Sequence, residues 1–326
     1  MPTMQNAHID RALTNISVAY MQDASNFIAD KVFPMVPVKR QSDLYYTYDR
    51  GDMMRDEARV RGAGTESAGG DYEVRPDGPY YCKKHALHRD VTEEERANYD
   101  EPLDVDMDTV DWLTQKMLIR REMEWATNFF APGIWGRDIA GGTDMTHWSD
   151  PNSDPIKNIT DAGVYMASRT AFKPNTLVLS PFVFNALKNH FDILDRIKYT
   201  QKGIVTTDLL TNLFEVERVL VPWAVVNDAP RNVPAAGEGT EEDIDFITGK
   251  HALLCYSAPR PALKRPSAGY IFAWTGLMGA SAVGSRIIRM PMDQLGLGTE
   301  RIEAEMAFDM KTISTDLGIF FKDIVV

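Results

Sequence analysis

The stretch of sequence that decides the fold is residues 104–130, DVDMDTVDWLTQKMLIRREMEWATNFF. It contains neither glycine nor proline, and the proline-glycine pair at 132–133 is typical of the end of a helix. Asp104, Asp106 and Asp108 at its start suit the positive end of a helix dipole. Apolar residues recur through it at helical spacing. The pattern predicts one helix of about 25 residues, roughly 38 Å long, a spine between two different kinds of chain.

The chain before this helix is predicted to be an extended excursion. Residues 39–81 begin with an aromatic alternation at residues 44–48, which suits a strand, and continue with charged residues and glycines. Between residues 31 and 65, seven lysines and arginines are interleaved with five carboxylates, and there are too few apolar residues for an independent core. We therefore expect a long two-stranded loop. Because an isolated ribbon is only marginally stable, this loop needs a neighbour to lie on.

Shorter signals predict the elements on either side of the loop. Residues 1–30 look like an arm that docks elsewhere, and the prolines of VFPMVPV at 32–38 permit an edge strand but not a helix. Residues 80–91 predict another strand. Thr92 and Glu95 then form a capping box that starts a short helix.

From residue 155 onwards, helix and strand patterns alternate. Ser180 followed by Pro181 is the clearest helix start in this part, since serine caps and proline fits the first helical position. An acidic loop is expected at 227–243. The elements predicted here are helices at 155–172, 181–190, 192–198 and 207–214, and strands at 176–179, 216–226, 245–256, 269–277, 283–290 and 299–312.

Composition limits the classes of function. The chain has 326 residues, enough for two domains or one large domain with extensions, and its net charge of −12 argues against a protein whose main task is to grip nucleic acid. No apolar run approaches the length of a membrane span, so we expect no membrane partner. The two cysteines, Cys82 and Cys255, are far apart and are predicted to be buried free thiols in a reducing cytosol.

No catalytic, cofactor-binding or metal-binding residue stands out. His85 and His88 share a predicted strand, but a spacing of three points them to opposite faces, so zinc binding is not favoured. The acidic run at 104–108 fails the calcium-loop template, because Thr109 and Gln115 replace the glycine and glutamate that it requires. Phosphate-binding glycine loops and nucleophile elbows do not occur in the sequence. A catalytic acid/base pair stays open, although no carboxylate is singled out.

The ordered set of segments resembles the major capsid proteins of tailed bacteriophages with the Hong Kong 97-type fold. The resemblance covers nearly the whole chain, and its strength lies in the order of the segments because no single motif is diagnostic. The segments that carry it are IADKVFPMVPVKRQSDLYYTYDRGDMMRDEARVRGAGTESAGG (28–70), ALHRDVTEEERANYD (86–100), TQKMLIRREMEWA (114–126), NTLVLSPFVFNALKNH (175–190) and ISTDLGIFFKDIVV (313–326).

The resemblance implies an α+β fold with an N-terminal arm, an extended β-hairpin loop, a peripheral domain that holds the long spine helix, and an α/β axial domain. The acidic loop would then point towards a capsomer axis or the particle surface. Mapped onto this sequence, the expected parts are the arm at 1–38, the loop at 39–81, the peripheral domain at 82–154 and 285–315 with the spine at 104–130, the axial domain at 155–284, and a closing strand at 316–326.

The resemblance also implies partners. The chain would assemble with itself into hexamers and pentamers of an icosahedral shell, in the cytoplasm of a bacterial host, and become part of the virion. The shell would enclose double-stranded DNA without sequence-specific binding. Further partners would be a portal, cement proteins in some members, and a separate scaffolding protein, since the arm pattern begins almost at Met1. Residues 41–82 contain no lysine, so the lysine–asparagine crosslink of some members is not expected here.

Two other hypotheses compete with a phage coat. An encapsulin-like shell of the same fold would enclose cargo enzymes, and a cytosolic hydrolase is the third reading, disfavoured by the lack of a catalytic constellation. If the chain is a shell subunit, the charged part of the loop should pair with neighbouring copies, and reversing two of its arginines should block assembly. The residues predicted to make these contacts are Arg50, Asp52, Arg55, Asp56, Glu57, Arg59 and Arg61.

Overall fold

A computed structural model of the chain describes residues 21–99, 103–197, 205–228, 243–262, 264–279 and 285–326. The first part of the predicted arm and most of the predicted acidic loop at 227–243 lie outside these residues. The helices of the described segments are α1 (Ala29–Val32), α2 (Arg50–Met53), α3 (Glu93–Asn98), α4 (Val105–Phe129), α5 (Pro155–Thr170), α6 (Pro181–Lys188), α7 (Phe191–Ile197), α8 (Thr207–Leu213) and α9 (Thr275–Met278). Short 3-10 turns lie at Ala24–Asn26, Asp293–Leu295 and Thr315–Leu317.

The strands form two larger sheets and two separate hairpins. In chain order they are β1 (Met35–Val38), β2 (Ser42–Tyr48), β3 (Val74–Tyr81), β4 (Lys83–Val91), β5 (Asp138–Ala140), β6 (Thr176–Leu179), β7 (Arg218–Leu220), β8 (Val225–Asn227), β9 (Ile244–Phe246), β10 (Ala252–Cys255), β11 (Gly269–Trp274), β12 (Ser285–Pro291), β13 (Glu300–Thr312) and β14 (Gly318–Lys322).

The thirteen-residue strand β13 organises the first sheet. Its first half lies between β12 and β4, with Glu300 opposite both Pro291 and Val91. Its second half pairs with β11, which in turn pairs in parallel with β1. Strands β4, β11 and β12 therefore all pair with β13, and the end of the arm joins this sheet through β11. The second sheet has the order β5-β14-β10-β6-β7, and its central strands are fully buried.

The spine helix α4 lies across the first sheet. It begins where Asp104 accepts hydrogen bonds from the backbone N–H groups of Asp106 and Met107, as the acidic start predicts. Its first half buries Val105 and Leu113 in a cluster with Ile302 of β13, so strands that follow it in the chain cover its apolar side. Its second half enters a larger cluster that reaches both sheets, through Trp125 and Phe129. The helix thus joins the two layers.

Strand pairing crosses the expected division of the chain at three places. Strand β11 was expected in the axial domain, yet it lies in the sheet of β13; β5 was expected in the peripheral part, yet it joins the second sheet. The arm also enters the core, since Phe27, Val32 and Phe33 are buried. The strand predicted to reach residue 277 ends at Trp274, and α9 follows. The pairings of β5 and β11 join distant parts of the chain, which local sequence patterns do not encode.

Within the described segments, no helix is long and apolar enough to cross a membrane.

Candidate inter-subunit surface

The extended loop is a two-stranded hairpin that pairs with no third strand in the described residues. Ser42 lies opposite Tyr81 at its root, and Tyr48 lies opposite Val74 farther out, with a register shift between Tyr45 and Tyr46. Residues 49–73 connect the two strands and contain α2. Beyond its root, a ribbon of this kind leaves its strand edges unpaired, so the residues there are available to a neighbouring molecule.

Aromatic stacking fixes the root of the hairpin to the first sheet. The rings of Tyr80 and Tyr45 both stack on Phe272 of β11, with centroid distances of 4.6 Å and 5.9 Å. The Tyr45 ring also covers Gly78, where a Cβ atom would lie 1.9 Å from the ring. Glycine is therefore required at this position. Because the root is anchored, the direction in which the hairpin leaves the body is defined.

Beyond its root, the hairpin exposes large apolar side chains. Tyr46 is 71% exposed and Val60 is fully exposed. Exposed apolar side chains concentrated on one projecting element favour an interaction surface, because they leave hydrophobic area in water. The exposed apolar residues of the hairpin are Leu44, Tyr46, Tyr48, Met53, Met54, Val60, Tyr72, Val74 and Tyr81.

The predicted contact residues all lie on this hairpin, and several already have partners in the same chain. Arg50 pairs with Asp316 at 2.5 Å, which ties α2 back to the body. Arg55 lies 3.3 Å from Asp52 and 3.4 Å from Glu57, and all these pairs are partly exposed. Pairs of this kind contribute little stability but hold side chains in place.

The other predicted contact residues have fewer partners. The Nε atom of Arg61 donates to the Thr65 carbonyl oxygen at 2.5 Å. Asp56 and Arg59 are exposed and form no ion pair within the described part of the chain. The structure thus presents a segment of alternating charge in which two opposite charges are open to another molecule. Whether these residues touch a neighbouring copy remains a prediction.

A buried carboxylate that sequence reasoning missed ties the arm to the spine. Glu122 of α4 is fully buried, and its oxygens accept from the backbone N–H groups of Ile28 at 3.0 Å and Ala29 at 2.9 Å. These N–H groups open α1, so Glu122 acts as its cap from 93 residues away. Burial raises the pKa of Glu122 to about 7, although both backbone donors and Arg121 act in the opposite direction.

This carboxyl predicts a specific dependence of stability on pH. Between its ordinary pKa of 4.5 and its folded value of about 7, the folded chain binds more protons at Glu122 than the unfolded chain does. The contribution to the free energy of unfolding is therefore complete below pH 4.5 and is lost as the pH rises to about 7, by about 3 kcal/mol. Glu122→Gln should remove this dependence and leave the unassembled subunit more stable than the wild type at pH 8.

Urea unfolding of both proteins at pH 5 and pH 8 checks this expectation. Other groups titrate in the same range, among them His85 and His251, whose pKa values burial lowers. The difference between the wild type and Glu122→Gln isolates the one carboxyl. Equal pH dependence of the two proteins would contradict the assignment.

One buried serine–histidine pair resembles a nucleophile and base, and its geometry excludes that role. Ser153 Oγ lies 3.0 Å from His190 Nε2, and both residues are buried. The backbone N–H of Asp192 donates to His190 Nδ1 at 3.3 Å, so in the neutral ring the proton is on Nε2. The ring then donates to Ser153, whose own proton goes to the Asp150 carbonyl oxygen at 2.7 Å. The histidine therefore has no lone pair directed at the serine.

Among the described residues, no three His, Cys, Asp or Glu side chains cluster as metal ligands.

Comparison with known proteins points to one class. The chain is 27% identical to the major capsid protein of Pseudomonas phage JBD67 over 323 residues, which is 97% of each chain. It is also 25% identical over 221 residues to the major capsid protein of Burkholderia phage BcepMu, covering 68% of this chain and 70% of that one. No established family profile matches the chain.

Solved structures share the fold at low identity. A phage-related protein of Bordetella bronchiseptica matches 93% of both chains with a TM-score of 0.67 and 22% identity. The capsid of cyanophage P-SCSP1u matches 97% of this chain and 93% of its own with a TM-score of 0.61 and 10% identity. An encapsulin of Synechococcus elongatus matches 96% and 93% with a TM-score of 0.54 and 13% identity.

The two sheets, the spine helix and the projecting hairpin, together with these similarities, define a capsid shell protein with the Hong Kong 97-type fold, which assembles with copies of itself. The expectation from the ordered segments is confirmed. More particularly, the protein is a phage major capsid protein, a structural component of the virion and not an enzyme. The hydrolase hypothesis is thereby set aside.

Proposed function

We propose that this chain forms hexamers and pentamers of an icosahedral shell that encloses a double-stranded phage genome. The observation that carries the proposal is the hairpin of β2 and β3, which has an anchored root and apolar side chains exposed beyond it. An isolated subunit gains nothing from exposing Tyr46 and Val60, whereas a shell buries such residues between copies. The net charge of −12 also suits a container, because a strongly basic lining would bind the packaged DNA tightly.

The proposed parts of the subunit keep the divisions read from the sequence. Residues 1–38 act as an arm and 39–81 as the loop between copies. Residues 82–154 and 285–315 form the peripheral domain, 155–284 the axial domain, and 316–326 close the chain. The exchange of β5 and β11 between the sheets supports a tighter union of the two domains than these boundaries suggest.

A portal, a scaffolding protein and cement proteins are the further partners that we propose, with assembly in the cytoplasm of a bacterial host. The alternative is an encapsulin-like shell around cargo enzymes, favoured by the structural likeness to an encapsulin. Likeness in sequence to a phage coat over 97% of the chain favours the first reading. The genes that neighbour the gene of this chain distinguish the two hypotheses. Terminase, portal and tail genes support the phage coat, and a gene for a cargo enzyme supports the encapsulin-like shell.

Negative-stain microscopy of the purified chain, with and without its scaffolding protein, tests the proposed function. Closed particles of uniform diameter are expected. Protein that stays monomeric under both conditions would overturn the proposal.

We predict that these particles are held together without covalent crosslinks. Residues 41–82 contain arginines but no lysine, and a guanidinium does not form the amide bond that a lysine amine can form. Particles boiled in denaturing detergent should therefore run as a single band at 36.7 kDa. A ladder of covalent multimers at this step would show that another residue performs the crosslink.

A further inference from the structure

One end of the subunit carries an exposed apolar patch. Arg96 brings two segments together here, because it donates to Asp106 at the start of α4 and to the Gly298 carbonyl oxygen in the turn between β12 and β13. The large apolar side chains of these segments face solvent, and Leu297 is 87% exposed. We name this surface the acidic tip. Its apolar members are Leu103, Met107, Leu295 and Leu297.

Carboxylates without ion-pair partners surround this patch. Some acidic residues nearby are neutralised, since Asp106 pairs with Arg96 and Arg289, and Glu300 pairs with Arg96. Other carboxylates are exposed and form no ion pair within the described residues, although lysine and arginine residues lie near them in the sequence. These open carboxylates are Glu93, Glu94, Asp108, Asp111 and Asp293. An apolar centre with a charged rim is the usual anatomy of a protein–protein interface.

The opposite charge gathers around the root of the hairpin, a surface that we name the basic root. The Lys264 ammonium lies over the Tyr48 ring, 5.6 Å from its centroid, and the Arg265 carbonyl oxygen accepts from the Tyr270 hydroxyl at 3.0 Å. Within the described part of the chain, its cations are exposed and form no ion pair, in a protein whose net charge is −12. They are Lys39, Arg40, Lys83, Arg260, Lys264 and Arg265.

The two surfaces lie towards opposite ends of β13. Glu300, at the start of this strand, pairs with Arg96 of the acidic tip, whereas Lys311, near its end, lies opposite Tyr270 of the basic root. Eleven residues of extended strand separate them by roughly 35 Å. The surfaces therefore cannot meet within one subunit. Complementary patches at opposite ends of one molecule suit a head-to-tail contact between copies.

We propose that the acidic tip of one subunit docks on the basic root of a neighbouring subunit. The contact places the exposed leucines and Met107 against exposed aromatic side chains of the hairpin, Tyr81 at its root and Tyr48, farther out, beneath Lys264. The facing charges set the register of the two copies. This inference rests on the proposed shell function and names a contact within it.

Nucleic acid is the other polyanion that could occupy the basic root, and the structure favours a second copy. The acidic tip supplies both the carboxylates and the apolar area that the root can bind. Phosphate binding would explain the cations alone and would leave Leu295 and Leu297 without a partner. Nucleic-acid binding is thus an outcome of the test that would overturn the proposal.

Charge exchange between the two surfaces provides the test. Lys264→Glu with Arg265→Glu reverses the root, and Glu94→Lys with Asp108→Lys reverses the tip. Each pair of substitutions alone should lower the particle yield by about a hundredfold or more, because like charges then face each other at every contact. All four together should restore particles. Equal amounts of the two assembly-defective variants should also form hexamers when mixed, since each supplies the face that the other lacks.

A matched control separates charge as such from this contact. Lys173→Glu with Lys188→Glu makes the same change of net charge as the reversal of the root, at exposed sites near the second sheet, and it should assemble like the wild type. Circular dichroism and urea unfolding should show that every variant is folded, because all the sites are exposed.

The outcomes also separate this inference from the proposed function. If the wild type forms particles and the reversed variants do so equally, the contact is absent while the shell function stands. If reversal of the root abolishes retention of double-stranded DNA in particles that still form, and the tip variants behave like the wild type, the root binds nucleic acid and the proposal is overturned. If the wild type itself never forms particles, the proposed function fails first.

Discussion

Reversing Arg55 and Arg59 to glutamate is expected to abolish particle formation while leaving the subunit folded. Residues 49–61 carry four arginines and four carboxylates, and the double reversal leaves two arginines and six carboxylates. Arg55 now separates Asp52 from Glu57, so a glutamate there gathers three like charges. The same repulsion recurs in every copy of a shell, and like charges at an interface cost several kcal/mol each time.

The measurement is particle yield by sedimentation and negative-stain microscopy, with the fold of the unassembled chain followed by circular dichroism. Arg55→Lys with Arg59→Lys keeps both charges and should retain most of the particles. The Lys173 and Lys188 reversal controls for the change in net charge. Normal particles from the glutamate variant would show that the loop contacts at these positions are dispensable.

The second large effect is expected in the core, where Trp125→Ala should lower the free energy of unfolding by about 3–5 kcal/mol. Trp125 is fully buried in α4, and its ring stacks on Phe130 with centroids 5.3 Å apart. It belongs to the cluster that joins the arm, the spine and both sheets. Because one side chain links these layers, the loss should appear as destabilisation of the whole subunit and not as fraying of one element. Urea unfolding of the unassembled chain gives the value.

A pair of tryptophan-to-phenylalanine variants makes this prediction sharper. The indole N–H of Trp125 has no acceptor among the described residues, whereas that of Trp135 donates to the Phe129 carbonyl oxygen at 2.8 Å. Trp125→Phe removes side-chain volume and an N–H donor that has no acceptor. Trp135→Phe removes the same volume and, in addition, the hydrogen bond to a carbonyl oxygen near the end of α4. We expect Trp135→Phe to cost about 1 kcal/mol more. The reverse order would show that packing differences outweigh the hydrogen bond.

The parts of this fold that local chemistry determines could be predicted from the sequence. Asp104, Thr92 and Ser180 each cap the helix that their sequence context predicts, since a cap needs only neighbours within a few residues. The hairpin could be predicted because residues 39–81 lack the apolar content of a core. The contact residues placed on it remain a prediction, because a single chain shows its own ion pairs and not those with a neighbour.

Contacts between distant parts of the chain could not be predicted in this way. A glutamate in the middle of a helix is ordinarily solvated, and nothing near Glu122 indicates that Ile28 and Ala29 would bring their N–H groups to it. Strand partners are similarly hidden, since β11 has the apolar pattern of a buried strand in either sheet. The acidic tip illustrates a third limit. In the sequence, Leu295 and Leu297 look like leucines of a small core, and only the structure shows that they are exposed.

The two cysteines bear on the chemistry of a particle that leaves its host. Cys82 and Cys255 are both completely buried, and burial raises the pKa of each thiol to about 12. Oxidants and alkylating agents react with the exposed thiolate, a form that these residues almost never reach at neutral pH. The folded subunit therefore offers no reactive thiol when its surroundings change from a reducing cell interior to air-saturated water. Disulfide formation is thus not expected to alter the particle outside the cell.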